Sequence, residues 1–101
     1  MEQGLTNITS ATTTTLIPIY GSGGSVSSIR LTNYSASNAV TIDLYLEDGA
    51  GSPVKSYMLN DLVIPVAGSL LLDEHMSFDN SVLGLKIVTV GSSPLLSVII
   101  K

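Results

Sequence analysis

The sequence lacks cysteine and tryptophan and has few charged residues. The absence of cysteine excludes a disulfide framework, a cysteine-ligated zinc site and thiol catalysis. Four basic residues against eight acidic ones leave a net charge of −4, which argues against nucleic acid and anionic membrane surfaces as partners. No apolar run approaches the roughly 20 residues of a membrane-spanning helix, and we expect no membrane partner. The composition therefore excludes more chemistry than it indicates.

Uncharged polar side chains take the place of the missing charges. The chain contains fifteen serines, nine threonines and five asparagines among its 101 residues. Hydroxyl groups cost much less to bury than ions, and the mean hydropathy of +0.47 is high for a domain of this size. A small domain cannot hide all of its apolar surface, so we expect part of it to face another chain.

Apolar and polar residues alternate in several segments, as they do in strands with one buried face. The inward positions form the predicted core: Ile29, Leu31, Val40, Ile42, Leu44, Leu46, Ile87 and Val98. Turn signals recur about every 8–12 residues, and no segment holds a capped helical period. The sequence predicts an all-β fold, a single-domain antiparallel β-sandwich of jelly-roll-like type with about seven to eight short strands.

The same pattern suggests boundaries and pairings. Residues 1–10 have no period and are expected to form an N-terminal arm, which leaves 11–101 for the β-sandwich domain. We expect the strands at 29–33 and 40–47 to pair, and 82–90 and 94–101 to form a closing hairpin. Asn60-Asp61 predicts a turn. Pro18 cannot donate to a ladder, so it places its segment at a sheet edge or at a change of strand.

The candidates for chemistry are few. His75 is the sole histidine, and Glu47-Asp48 and Asp73-Glu74 are paired carboxylates that could bridge a calcium ion. A single histidine is too few for a zinc site, no serine lies in the G-x-S-x-G motif of a nucleophile elbow, and the acidic pairs lack calcium-loop spacing. We therefore expect no metal, no cofactor and no catalytic residues, and we predict that the chain is not an enzyme.

The last strand is apolar on both faces. Leu96, Val98 and Ile100 would fill the core, which leaves Leu95 and Ile99 to be covered by something else. One possibility is a second copy of the chain. The other is the N-terminal arm, with Leu5 and Ile8 as the covering side chains. Leu5, Ile8, Leu95 and Ile99 are therefore the candidate interface.

Three segments resemble small all-β virion proteins of tailed bacteriophages, particularly capsid decoration (cement) proteins. They are SSIRLTNYSASNAVTIDLYLEDG at 27–49, YMLNDLVIPVAGSLLLDE at 57–74 and LGLKIVTVGSSPLLSVIIK at 83–101. The resemblance implies a non-enzymatic structural protein on the capsid surface that clamps neighbouring major capsid subunits. It also implies a homo-oligomer, most simply a trimer, with no catalytic residues.

Two alternatives remain open. A tail, adaptor or fibre-associated β-sandwich module of the same kind of particle would have a similar pattern. A carbohydrate-binding or receptor-binding module belongs to a different class, and the absence of tryptophan removes the usual stacking platform for sugars.

Overall fold

A computed structural model describes residues 4–19, 25–49, 55–73, 76–79 and 81–101. These residues contain ten β-strands. The strands are β1 (Gly4–Ile8), β2 (Thr13–Ile17), β3 (Ser25–Val26), β4 (Ile29–Asn33), β5 (Val40–Asp48), β6 (Lys55–Ile64), β7 (Ser69–Leu72), β8 (Met76–Ser77), β9 (Leu83–Val90) and β10 (Leu96–Ile100). Sheet A has the order β1-β10-β4-β7, sheet B has the order β2-β9-β5-β6, and β3 pairs separately with β8.

The two four-stranded sheets form the predicted β-sandwich. Every pairing among the described strands is antiparallel. Five of the pairings are nested: β1 with β10, β2 with β9, β3 with β8, β4 with β7, and β5 with β6. Nested pairing describes one long antiparallel ribbon wrapped into two sheets, which is the jelly-roll arrangement. The all-β prediction is thereby confirmed.

The core lies between the inner faces of the two sheets. Seven of the eight predicted core residues are buried, and the eighth, Leu46, is half-buried and packs against the others. Leu85 and Leu96 join them from β9 and β10. Burial of each such side chain contributes about 1.5–3 kcal/mol. Burial of the alternating apolar residues is therefore the main source of stability.

The predicted strand partners were wrong. β4 lies in sheet A and β5 in sheet B, and β9 and β10 are likewise divided between the sheets. The residues between these strands therefore cross the sandwich and do not form hairpins. Alternation specifies which face of a strand is buried, but it does not specify the neighbouring strand.

The turn predicted at Asn60-Asp61 is an irregularity inside one long strand. β6 runs from Lys55 to Ile64, and its register against β5 shifts near this point. Asp61 has φ 52°, and its N–H donates to the carboxylate of Asp43 at 2.6 Å. The local turn signal therefore forms a β-bulge. The prediction for Pro18 is confirmed, because β2 is an edge strand that ends at Ile17.

The sandwich begins earlier than the sequence suggested. Strand β1 lies within the segment assigned to an arm, and it pairs with β10 along its whole length. It lies beside β10 in the sheet rather than over the face of that strand. The idea that the arm covers β10, with Leu5 and Ile8 as covering side chains, is therefore incorrect.

Candidate functional site

The outer face of sheet A carries a row of large side chains. The register places Leu5 beside Ile99, Ile99 beside Arg30, and Arg30 beside Leu71. These four residues, which we call the outer row, cross all four strands and share one face, because residues directly opposite in a ladder point the same way. Leu5 is 78% exposed and Leu71 47% exposed, whereas Ile99 is half-buried.

The next row on the same face is uncharged and polar. Asn7, Ser97, Thr32 and Ser69 lie side by side across β1, β10, β4 and β7. Amides and hydroxyls of this kind lose little on dehydration compared with ions. The face therefore has an apolar row with one arginine next to a neutral row, which is a surface suited to contact with protein.

A groove of about 340 Å³ opens at one end of the outer row. It is lined by Ser28, Arg30, Leu71, Asp73, Ile99 and Lys101. The backbone of Lys101 is held at the groove by Ser27 and Ser28, whose N–H groups donate to its carbonyl at 2.6 and 3.2 Å. The N–H of Lys101 donates in turn to the carbonyl of Ser28 at 3.0 Å. These three hydrogen bonds hold the backbone that lines this part of the groove.

The four basic residues of the chain divide into two pairs. Lys86 forms an ion pair with Glu47 at 3.2 Å, and the ammonium of Lys55 lies 5.0 Å from the centre of the Tyr45 ring. Arg30 and Lys101 form no ion pair with any residue that the structure describes. Both of these uncommitted cations line the groove in sheet A.

The outer face of sheet B differs from expectation. The alternation in β5 predicts that Tyr45 faces water, yet it is only 3% exposed. The ring of Tyr57 lies 5.4 Å away from it, centre to centre, and Lys55 covers it as well. Tyr45 is thus buried by side chains of its own sheet, and the exposed aromatic surface here is that of Tyr57.

The four predicted interface residues lie in three different places in the fold. Leu5 and Ile99 belong to the outer row. Leu95 is half-buried just before β10, and its carbonyl accepts the N–H of Tyr34 at 3.0 Å. The assignment of Ile8 to the interface was wrong. Its side chain is 4% exposed and belongs to the core of its own chain, so it is not a surface residue.

Sequence reasoning missed two members of the outer row, Arg30 and Leu71. Alternation already turned Arg30 away from the core. The run of three leucines at 70–72 shows no alternation, so the sequence carries no comparable signal for Leu71. Only the strand register shows that Arg30, Leu71 and Ile99 are neighbours.

Three carboxylates among the described residues, those of Asp43, Glu47 and Asp79, form hydrogen bonds or an ion pair within the fold. Asp43 receives the N–H of Asp61, and Glu47 pairs with Lys86. Hydrogen bonds from the hydroxyl and then the N–H of Ser81 lower the pKa of Asp79 below its usual 3.8, in an exposed turn. Within the described ranges, no three His, Cys, Asp or Glu residues form a metal-binding group. His75 and Glu74 lie outside these ranges.

No helix in the described part of the chain has the length and apolar character needed to cross a bilayer. Comparison of the sequence with protein-family models and with curated proteins, and of the structure with solved structures, finds no match.

Proposed function

We propose that this chain is a non-enzymatic structural protein of a tailed bacteriophage particle. In this role it is a capsid decoration module that self-associates and clamps neighbouring major capsid subunits on the virion surface. The observation that carries the proposal is the outer face of sheet A, where Leu5, Ile99 and Leu71 lie in one row beside a neutral polar row. Exposed apolar side chains grouped in this way mark surfaces that contact other proteins.

The composition suits repeated, modest contacts. A face with hydroxyls and amides around an apolar row loses little solvation when it meets a protein lattice. Many copies that each contact several subunits accumulate stabilisation through multivalency, even when a single contact is weak. The number of copies in the oligomer implied by the sequence resemblance is three.

The jelly roll supports more than one class of protein. It occurs in viral capsid proteins, in lectins and in cupins, so the fold does not by itself select a function. A carbohydrate-binding or receptor-binding module is the second candidate, because the ring of Tyr57 on sheet B is 50% exposed. Tyrosine offers sugars a smaller platform than tryptophan, which the chain lacks.

A quantitative mass-spectrometric inventory of purified phage particles tests the proposal. We expect the chain at a copy number comparable with that of the major capsid protein. A copy number of a few per particle would place it in the tail, adaptor or fibre instead. Absence from particles would overturn the proposal, and binding of the purified chain to an array of glycans would then favour the second candidate.

A further inference from the structure

We infer that the groove in sheet A is a self-complementary surface through which two copies of this chain pack about a two-fold axis. Arg30 of one copy faces Asp73 of the other, and the reverse contact forms at the same time. This inference rests on the self-association in the proposed function, but it assigns the contact two copies in place of the three that the sequence resemblance implies, and it does not require the chain to be part of a virion.

The groove holds both signs of charge on one face. Arg30 and Asp73 both line it, yet they form no ion pair with each other. In a two-fold contact, if residue i of one copy touches residue j of the other, then j of the first also touches i of the second. A surface with an uncommitted cation and an uncommitted anion therefore supplies two ion pairs per contact.

The apolar residues beside Arg30 strengthen such a pair. Ile99 and Leu71 flank it in the outer row on either side. When a second copy covers the groove, these side chains exclude water from the guanidinium and the carboxylate. The attraction between the charges then acts at a lower effective dielectric constant than it does at an open surface.

The charges also favour a copy of the chain over other occupants. A uniformly acidic partner would match Arg30 and Lys101 but would repel Asp73. A uniformly basic partner would match Asp73 and repel the two cations. A second copy presents both signs of charge. Its net charge of −4 is attracted to the two cations of the groove. Lys55 and Lys86 compete less for it, because they already contact Tyr45 and Glu47.

The size of the face sets the strength of the contact. Four strands about 4.8 Å apart, three of them five residues long and one four residues long, give a face of roughly 300 Å². A standard stable interface buries about 800 Å² on each partner. We therefore expect a weak, reversible dimer whose population rises with protein concentration and falls with salt.

Sedimentation of charge-reversed variants tests the inference. Wild type is expected to show a monomer–dimer equilibrium in low salt. Arg30→Glu or Asp73→Lys alone places like charges opposite each other across the contact. The dissociation constant of each variant's dimer should therefore be at least about tenfold higher than that of wild type. Lys55→Glu is the matched control, because it makes the same kind of charge change on sheet B, and it should dimerise like wild type.

An equimolar mixture of the two variants gives the decisive measurement. In the mixed dimer, the new carboxylate of the first variant meets the new ammonium of the second, while the native Asp73 of the first meets the native Arg30 of the second. We expect the mixture to dimerise although each variant alone does not. An ion pair within one chain would give no such recovery.

Several results would overturn the two-fold contact. They are a monomeric wild type, a wild-type trimer, single variants that dimerise normally, or a mixture that stays monomeric. If charge reversal prevents folding, as judged by circular dichroism, then Arg30→Gln and Asp73→Asn replace the reversals, and unchanged dimerisation in both would also overturn it. A mixture that dimerises while the chain is absent from particles would support this inference and contradict the virion role.

Discussion

At the scale of single residues, Asn33 is the polar centre of the sandwich. It is fully buried at the end of β4, where alternation in the sequence pointed it inward. Its amide nitrogen donates to the carbonyls of Asn38, Ile64 and Pro65 at 2.9–3.1 Å, and its oxygen accepts the N–H of Ser35 at 3.0 Å. One side chain thus ties the end of sheet A to β6 of sheet B and to the connection between β4 and β5.

Replacing Asn33 with alanine should destabilise the fold strongly. Each buried backbone group left without a partner costs about 1–3 kcal/mol, and the substitution removes the partner of two, the carbonyl of Ile64 and the N–H of Ser35. Asn7→Ala is the matched control, because Asn7 is exposed on β1 of the same sheet. Urea unfolding measures the difference, and equal midpoints for the two variants would contradict the role assigned to Asn33.

Asp61 occupies a backbone conformation that limits which residues can replace it. At φ 52° it lies in the left-handed region, which aspartate tolerates better than most residues and which costs β-branched residues about 1–2 kcal/mol. We expect Asp61→Val to lower the free energy of unfolding by roughly that amount. Asp61→Gly should be neutral or slightly stabilising, because glycine adopts positive φ without strain and the backbone N–H that donates to Asp43 is retained. Equal urea midpoints for these two variants would show that the bulge is not strained.

At the scale of elements, β1 has one side chain in the core and one in water. Ile8 is 4% exposed, whereas Leu5 is 78% exposed on the outer face. Ile8→Ala should therefore cost about 2–5 kcal/mol through lost burial and a cavity, and Leu5→Ala should cost well under 1 kcal/mol. Thermal and urea unfolding of dilute protein compare the two variants. A small effect of Ile8→Ala would mean that β1 is not part of the sandwich in solution.

Much of the fold follows from local pattern, but the pairing does not. The inward positions of β4 and β5 follow from alternation because burial of one face is written into each strand separately. Their partners depend on how the ribbon wraps, and no residue of β4 specifies that it lies between β10 and β7. Tyr45 escaped prediction for a related reason, since Tyr57 reaches it through the register of β5 and β6.

The candidate site depends on the same long-range information. The sequence pattern predicted that Ile99 is an apolar residue on the outer face of its strand, to be covered by another segment or chain. It also predicted that Arg30 faces solvent. It could not place them together, because they belong to distant segments joined only by the β10–β4 ladder. Ile8 was assigned to the interface because an aperiodic N-terminal segment was not expected to join a sheet.

At the scale of the whole molecule, self-association should make thermal stability depend on concentration. A partner that binds the folded state and not the unfolded chain raises the melting temperature by mass action. Calorimetry over a wide range of protein concentration should show a rising Tm for wild type and for Lys55→Glu, and a nearly constant Tm for Arg30→Glu. Parallel curves for all three proteins would show that the groove takes no part in association.

The nested pairing of strands also determines the order in which the molecule can be made. Because Gly4 pairs with Ile100, β1 leaves the ribosome long before its partner β10 and must wait for it before sheet A is complete. Until then β1 carries an unpaired backbone and an uncovered Ile8. Among the nested pairs, β5 and β6 lie closest in the chain. We therefore expect their hairpin to close first, followed by β4 with β7, β3 with β8, β2 with β9 and finally β1 with β10. We therefore expect this part of the nascent chain to expose apolar side chains until β10 has been made, and to be most prone to aggregation during that interval.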